Sequence, residues 1–258
     1  MMTPGGSPPD RSLPDGSLAG HVVVVTGSSS GIGEAIARAF AGAGASVLVN
    51  SATSVDAGRA VADALPDALY VRADITDESQ CSALVAAATG RWGRIDTLVN
   101  NAGATEVIAH HDLAAADLSV WRRIFEVNVF GTWAMTCAAV PALREAKGSI
   151  VNITSVAGLR PTGSSIPYAS SKAALNHQTV LLAKVLGPDI RVNAVAPGLI
   201  DTPWTADWDL VRRVVTEIAP LKRSGQPDDV APLVLALATL PYVTGQIVAV
   251  DGGLTLAL

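Results

Sequence analysis

Short runs of β-branched residues alternate along this chain with longer, Ala-rich stretches. Seven runs read as strands: 21–26 (HVVVVT), 45–50 (ASVLVN), 68–73 (ALYVRA), 95–100 (IDTLVN), 149–154 (SIVNIT), 190–195 (IRVNAV) and 246–251 (QIVAVD). Several are nearly continuous in Val, Ile and Leu, the pattern of strands covered on both faces. Between them the pattern predicts helices over 31–43, 55–65, 78–92, 118–143, 165–186 and 228–240. Strand–helix alternation repeated this often predicts an α/β fold, a doubly wound parallel sheet with right-handed crossovers and helices on both faces. In such sheets ligands bind outside the carboxyl ends of the strands.

Composition narrows the class. The chain has 258 residues, 49% hydrophobic and 16% charged, enough for a sizeable core in one domain over 18–258. Its first 17 residues, rich in Pro, Gly and Ser and without the apolar core of a signal peptide, read as a flexible extension. The formal net charge of -5 argues against a nucleic-acid partner. No apolar run reaches the length of a membrane span. Cys81 and Cys137 stand far apart and outside any CxxC spacing, so neither a disulfide framework nor a metal site is expected, and a reducing cytoplasm fits.

Two stretches carry candidate chemistry. The first strand runs into TGSSSGIG (26–33), a glycine-rich turn opening a helix. Glycines let backbone approach a ligand, and the helix N-terminus offers free N–H groups to a pyrophosphate. The spacing is GxxxGxG rather than GxGxxG, and no GK[ST] follows, which excludes a nucleotide-triphosphatase loop. In PYASSK (167–172), Tyr168 and Lys172 stand four apart and share a helix face. Pro167 suits a first turn, and Ser164 or Ser165 suits its cap. Taken alone, the pair reads more readily as a solvated polar pair on an ordinary helix.

The series TGSSSGIG, ADIT, LVNNAG, EVNVFG, NITSVAG, YASSK, RVNAVAPGLIDTP and VDGG, in that order, resembles the short-chain dehydrogenase/reductase family over nearly all of 18–253. The resemblance implies a Rossmann-type domain and a catalytic tetrad of Asn128, Ser155, Tyr168 and Lys172. Tyr168 would be the general acid–base, lowered toward neutrality by the Lys172 cation. Ser155 would hold the substrate oxygen, and Asn128 a water linking Lys172 to solvent. The implied cofactor site comprises Gly27, Ser29, Ser30, Gly31, Ile32 and Gly33 in the glycine turn, and Asp74 against the adenine. Asn101, Ala102 and Gly103 follow the fourth strand, while Tyr168, Lys172, Pro197, Gly198, Ile200 and Thr202 hold the nicotinamide half.

The implied reaction moves a hydride between a nicotinamide and a secondary alcohol or ketone. A dinucleotide-binding sensor without turnover and an epimerase or dehydratase on the same fold remain open. At the adenosine ribose the aligned residue is Ser51, so the acidic barrier against NADP is missing; Asn50, Ser51 and Thr53 are candidate phosphate donors. NADP(H) is expected, with NAD(H) possible. The family's pairing helices imply a homotetramer, with a dimer second. His110 and His111 read as a solvated loop pair, and Trp204 and Trp208 as pocket lining or lid packing. Trp92, Trp121 and Trp133 read as core or interface, Cys137 as packing, and Arg160 as a surface residue.

Overall fold

The computed structural model describes residues 17–258. Of the expected extension, residues 1–16 lie outside the described residues, and Ser17 sits in an exposed turn. All seven expected strands form: β1 Val22–Val25, β2 Ser46–Ser51, β3 Ala68–Arg72, β4 Thr97–Asn100, β5 Ser149–Ile153, β6 Arg191–Pro197 and β7 Ile247–Val250. They make one parallel sheet in the order β3-β2-β1-β4-β5-β6-β7. The order reverses between β1 and β4, and a crevice opens there at the strand ends.

The near-continuous apolar runs follow from a sheet buried on both sides. Successive side chains point to opposite faces. Val23, Val25, Val47 and Val49 therefore pack with Ile36, Phe40 and Val234 on one face. Val24, Leu48, Leu98 and Ile150 pack with Leu84, Met135 and Leu143 on the other. Each such fully buried side chain contributes about 1.5–3 kcal/mol.

The helices are α1 Gly31–Gly42, α2 Val55–Asp63, α3 Glu78–Trp92, α4 Leu118–Phe125, α5 Thr132–Ala146, α6 Ile166–Leu186, α7 Asp209–Ile218 and α8 Pro227–Thr239. Two differ from expectation. The helix expected over 118–143 is two helices joined by a π turn at Glu126–Gly131, and α5 runs on until Lys147 turns left-handed at φ 52°. A π turn widens the helix by one residue without interrupting its apolar stripe, so the pattern does not reveal it. Helix α7 was not expected at all.

Local chemistry fixes the helix starts. Asp77 accepts from the backbone N–H groups of Ser79 and Gln80, and Asp117 from those of Ser119 and Val120. Ser165 accepts from the Tyr168 N–H at 3.4 Å, with Pro167 in the first turn. Of the two serines offered as caps, Ser165 is the one that serves.

Candidate active site

The glycine turn is stitched between β1 and β4. The Thr26 hydroxyl accepts from the N–H groups of Asn101 and Ala102 at 3.0 and 3.1 Å. The Asn101 amide donates to the carbonyls of Thr26 and Gly27 at 3.0 and 2.9 Å. Gly27 and Gly31 have φ of +62° and +57°, a region favouring glycine. A Cβ on Gly33 would lie 2.4 Å from the Gly27 carbonyl oxygen and 2.5 Å from the Asn101 amide nitrogen. Position 33 therefore admits no side chain without displacing this turn. Unlike Asp77, Asp117 and Ser165, the N-cap of α1, Ser30, makes no side-chain bond to its own helix. The free N–H groups of α1 and the glycine turn fit an anionic pyrophosphate.

A cleft of about 1010 Å³ runs from this turn across the strand ends. Every expected site residue lines it except Asn128: Gly27, Ser29, Ser30, Gly31, Ile32, Gly33, Ser51, Asp74, Asn101, Ala102, Gly103, Ser155, Tyr168, Lys172, Pro197, Gly198, Ile200 and Thr202. Asn128 is fully buried in the π turn, behind the lining. Its Oδ1 accepts from the Ala104 N–H at 2.7 Å, and its Nδ2 donates to the Ala104 carbonyl and the Ser171 hydroxyl, both at 2.9 Å. It clamps the segment after β4 to α6.

Ser155, just after β5, accepts the Ala157 N–H at 3.1 Å through its side-chain oxygen and lines the cleft. Lys172 is 4% exposed and donates to the Ile153 carbonyl at 3.0 Å. Burial pushes its ammonium down to about 8. Burial also pushes the Tyr168 phenol above its ordinary value, with the Ser155 hydroxyl acting in the opposite sense. That direction is opposite to the lowering of Tyr168 by Lys172 that the sequence implies. The ammonium is directed at Ile153, and the partly buried phenol is shifted upward by desolvation.

At the ribose end, two expected phosphate donors are already engaged. The Asn50 amide donates to the carbonyls of Val71 and Ala73 at 3.1 and 3.0 Å. Ser51 donates to the Ser54 carbonyl at 3.0 Å, and its oxygen lies 2.9 Å from the Tyr70 hydroxyl. Thr53 is exposed in the lining. The sequence reading missed Arg72, which pairs with Ser51 across the sheet and donates to the Ala52 carbonyl at 3.1 Å.

The far half of the cleft is mostly apolar, with Asp207 and Thr105 among its polar lining. Val107, Ile108, Val156, Leu199, Leu210, Val211 and Leu254 line it, together with Trp204 and Trp208. His110 is exposed in its loop, as expected, and also lines the cleft, 3.1 Å from the Gly163 carbonyl; His111 does not line it. Among the described residues, Lys172 is the only lysine or arginine in the lining, and Arg160 is exposed outside it. Trp92 is partly buried and donates to Asp67 at 2.9 Å, and Trp121 lies 5.6 Å from the Phe125 ring. Cys137, expected to pack, is exposed on α5 one turn from the exposed Trp133. The described residues hold no cluster of three His, Cys, Asp or Glu suited to a metal ion, and no helix long and apolar enough to cross a membrane.

A family model described as enoyl-(acyl carrier protein) reductase matches residues 27–255. Together with the fold and the strand-end motifs, it places the chain in the short-chain dehydrogenase/reductase family, and the protein is an oxidoreductase of that family using a nicotinamide cofactor. The chain is 54% identical to a granaticin polyketide synthase putative ketoacyl reductase 2 of Streptomyces violaceoruber, over 90% of this chain and 95% of that protein. It is 39% identical to the 3-oxoacyl-[acyl-carrier-protein] reductase FabG of Thermotoga maritima, over 93% and 99%. A crystal structure of a putative short-chain dehydrogenase/reductase from Burkholderia xenovorans is 43% identical and superposes with a TM-score of 0.86, covering 92% of this chain and 98% of that one.

Proposed function

We propose that this protein reduces the ketone of an apolar acyl substrate to a secondary alcohol with NADP(H), using Tyr168 as proton donor. The observation that carries the reading is the convergence of Ser155, Tyr168 and Lys172 on the cleft that also holds the glycine turn. The residues from Gly27 to Gly33 and from Pro197 to Thr202 would hold a nicotinamide cofactor, whose chemistry would be the supply of the hydride. Ser155 holds the carbonyl oxygen by its O–H. Tyr168, kept protonated by burial, transfers its proton to that oxygen as the C–H bond forms. The charged Lys172 ammonium then stabilises the phenolate left behind. Asn128 acts as a positioning residue, holding Ala104 and Ser171 beside these groups.

The substrate reading rests on the mostly apolar far half of the cleft and on the printed names of the relatives. A site without arginine suits a neutral ketone better than a free carboxylate or phosphate. The family model's description points to a different bond, C=C rather than C=O. Mass analysis of the product separates the two: a hydroxyl supports our reading, and a saturated ketone supports the other.

For the cofactor, no carboxylate stands at Ser51, Thr53 lines the cleft beside it, and Arg72 pairs with Ser51 across the sheet and donates to the Ala52 carbonyl. These favour NADP(H), with measurable NAD(H) use. For assembly, exposed Phe130 and Trp133 around α5 and Leu181 and Val185 on α6 favour pairing of these helices, and a homotetramer. Cytoplasmic residence rests on the two free cysteines.

A further inference from the structure

The far wall of the cleft is carried by α7, a ten-residue helix whose hold on the body is unusual. Its underside makes a small apolar contact, in which Val215 and Ala219 pack with Leu199 and Leu254. Apolar contacts of this kind are non-directional and leave rotation about the helix axis weakly determined. Direction comes from Arg212. Its Nε donates to Asp201 Oδ1 at 2.8 Å, one terminal nitrogen to Asp209 at 2.7 Å, and the other to the Thr205 carbonyl at 3.1 Å. All three guanidinium nitrogens are therefore engaged. Asp201 is equally committed. Its other oxygen accepts from the Ser224 hydroxyl at 2.6 Å and the Gln226 amide at 2.9 Å. Both side chains are only about a quarter exposed, at 27% and 28%.

The position of Asp201 gives the pair its meaning. It lies between Ile200 and Thr202, which line the cofactor end of the cleft. Its backbone N–H is fixed to the Gly225 carbonyl at 2.9 Å. Leu210 and Val211, immediately before Arg212, are 74% and 46% exposed and line the cleft. Turning α7 by one residue, about 100°, would carry one of them out of the wall and move the other into its place.

We propose that the Asp201–Arg212 pair is a specificity clamp. It fixes the rotation of α7 against the cofactor loop, so that Leu210 and Val211 form the wall that grips a bulky ketone. Exposed ion pairs contribute little to stability. This one acts by orientation, through the fixed planar fork of arginine. The role assigned to the wall rests on the ketone-reductase reading.

The test is Arg212→Met, which keeps the stem and removes the fork while Asp201 retains Ser224 and Gln226. The probes are 1-decalone as the bulky ketone and cyclohexanone as the small one. With 1-decalone, KM should rise about tenfold with kcat within about threefold, whereas KM for cyclohexanone and the Kd for NADPH should stay within about twofold. Arg212→Lys should fall between the variant and the parent. Backbone amides 209–218 should exchange hydrogen faster in Arg212→Met, and those of α1 should not. Equal loss with both ketones, an altered NADPH Kd, or unchanged exchange in α7 would each overturn the clamp. If the parent protein reduces neither ketone, the reductase reading fails on its own, and hydrogen exchange still decides whether Arg212 holds α7.

Discussion

Lys172 donates to the Ile153 carbonyl at 3.0 Å while its ammonium lies 5.8 Å from the centre of the Tyr168 ring. The two groups share a helix face and a cleft, but the ammonium is anchored to the backbone of β5. The phenol therefore keeps its proton, and the lysine waits close enough to stabilise the charge that proton transfer would leave.

This arrangement sets a pH dependence. Burial holds the lysine at about 8, so its cation is present below that pH and lost as pH rises through it. Tyr168 is shifted upward and stays protonated across the same window. In the reduction direction, kcat/KM should be level up to about pH 7 and fall through about pH 8. Lys172→Arg, whose guanidinium does not deprotonate in this range, should remove that limb from whatever activity remains. The measurement is kcat/KM against pH, and a profile rising through pH 8 would contradict the assignment.

The glycine turn makes a paired prediction. Gly33→Ala drives a methyl into the Gly27 carbonyl and the Asn101 amide. The cofactor Kd should rise at least about tenfold, equivalent to about 1.4 kcal/mol. Gly42→Ala, near the end of the same helix, meets nothing within 4 Å. It should leave binding unchanged and stabilise the fold by about 0.4–1 kcal/mol. Calorimetric titration and thermal melts of both variants check this, and equal behaviour would contradict the cradle.

Much of this was legible before the structure. Seven strands follow from apolar runs that only a sheet covered on both faces would tolerate, and the eight short motifs in order name residues that line one cleft. What escaped has physical reasons. Helix α7 carries apolar residues at 210, 211, 214, 215 and 218, a clear amphipathic spacing. The sequence reading names only Trp204 and Trp208, just before it, as pocket lining or lid packing. Asn50 looked like a phosphate donor because a side chain's commitments across a sheet are not written in its neighbours. Arg72 was missed for the same reason, since parallel pairing brings it to Ser51 from 21 positions away. The exposure of Cys137 and Trp133 depends on which helix face meets the body.

Cofactor choice is testable at one side chain. Ser51→Asp places a carboxylate at the ribose end of the cleft. It should repel the extra phosphate of NADPH and accept hydrogen bonds from the ribose of NADH. The ratio of kcat/KM for NADPH over NADH should fall by about tenfold or more. Arg72→Ala should weaken NADPH alone. A parent enzyme that already prefers NADH tenfold would contradict the reading of this rim.

The central claim is that Tyr168 donates the proton to a ketone oxygen in this cleft. Tyr168→Phe removes one hydroxyl and keeps the ring that packs beside Ile108 and Ile124. Steady-state reduction of a ketone such as 1-decalone by NADPH, with the alcohol confirmed by mass and the NADPH Kd measured in parallel, tests the claim directly. Turnover should fall by about a hundredfold or more with the Kd unchanged. Turnover near that of the parent protein would contradict the account.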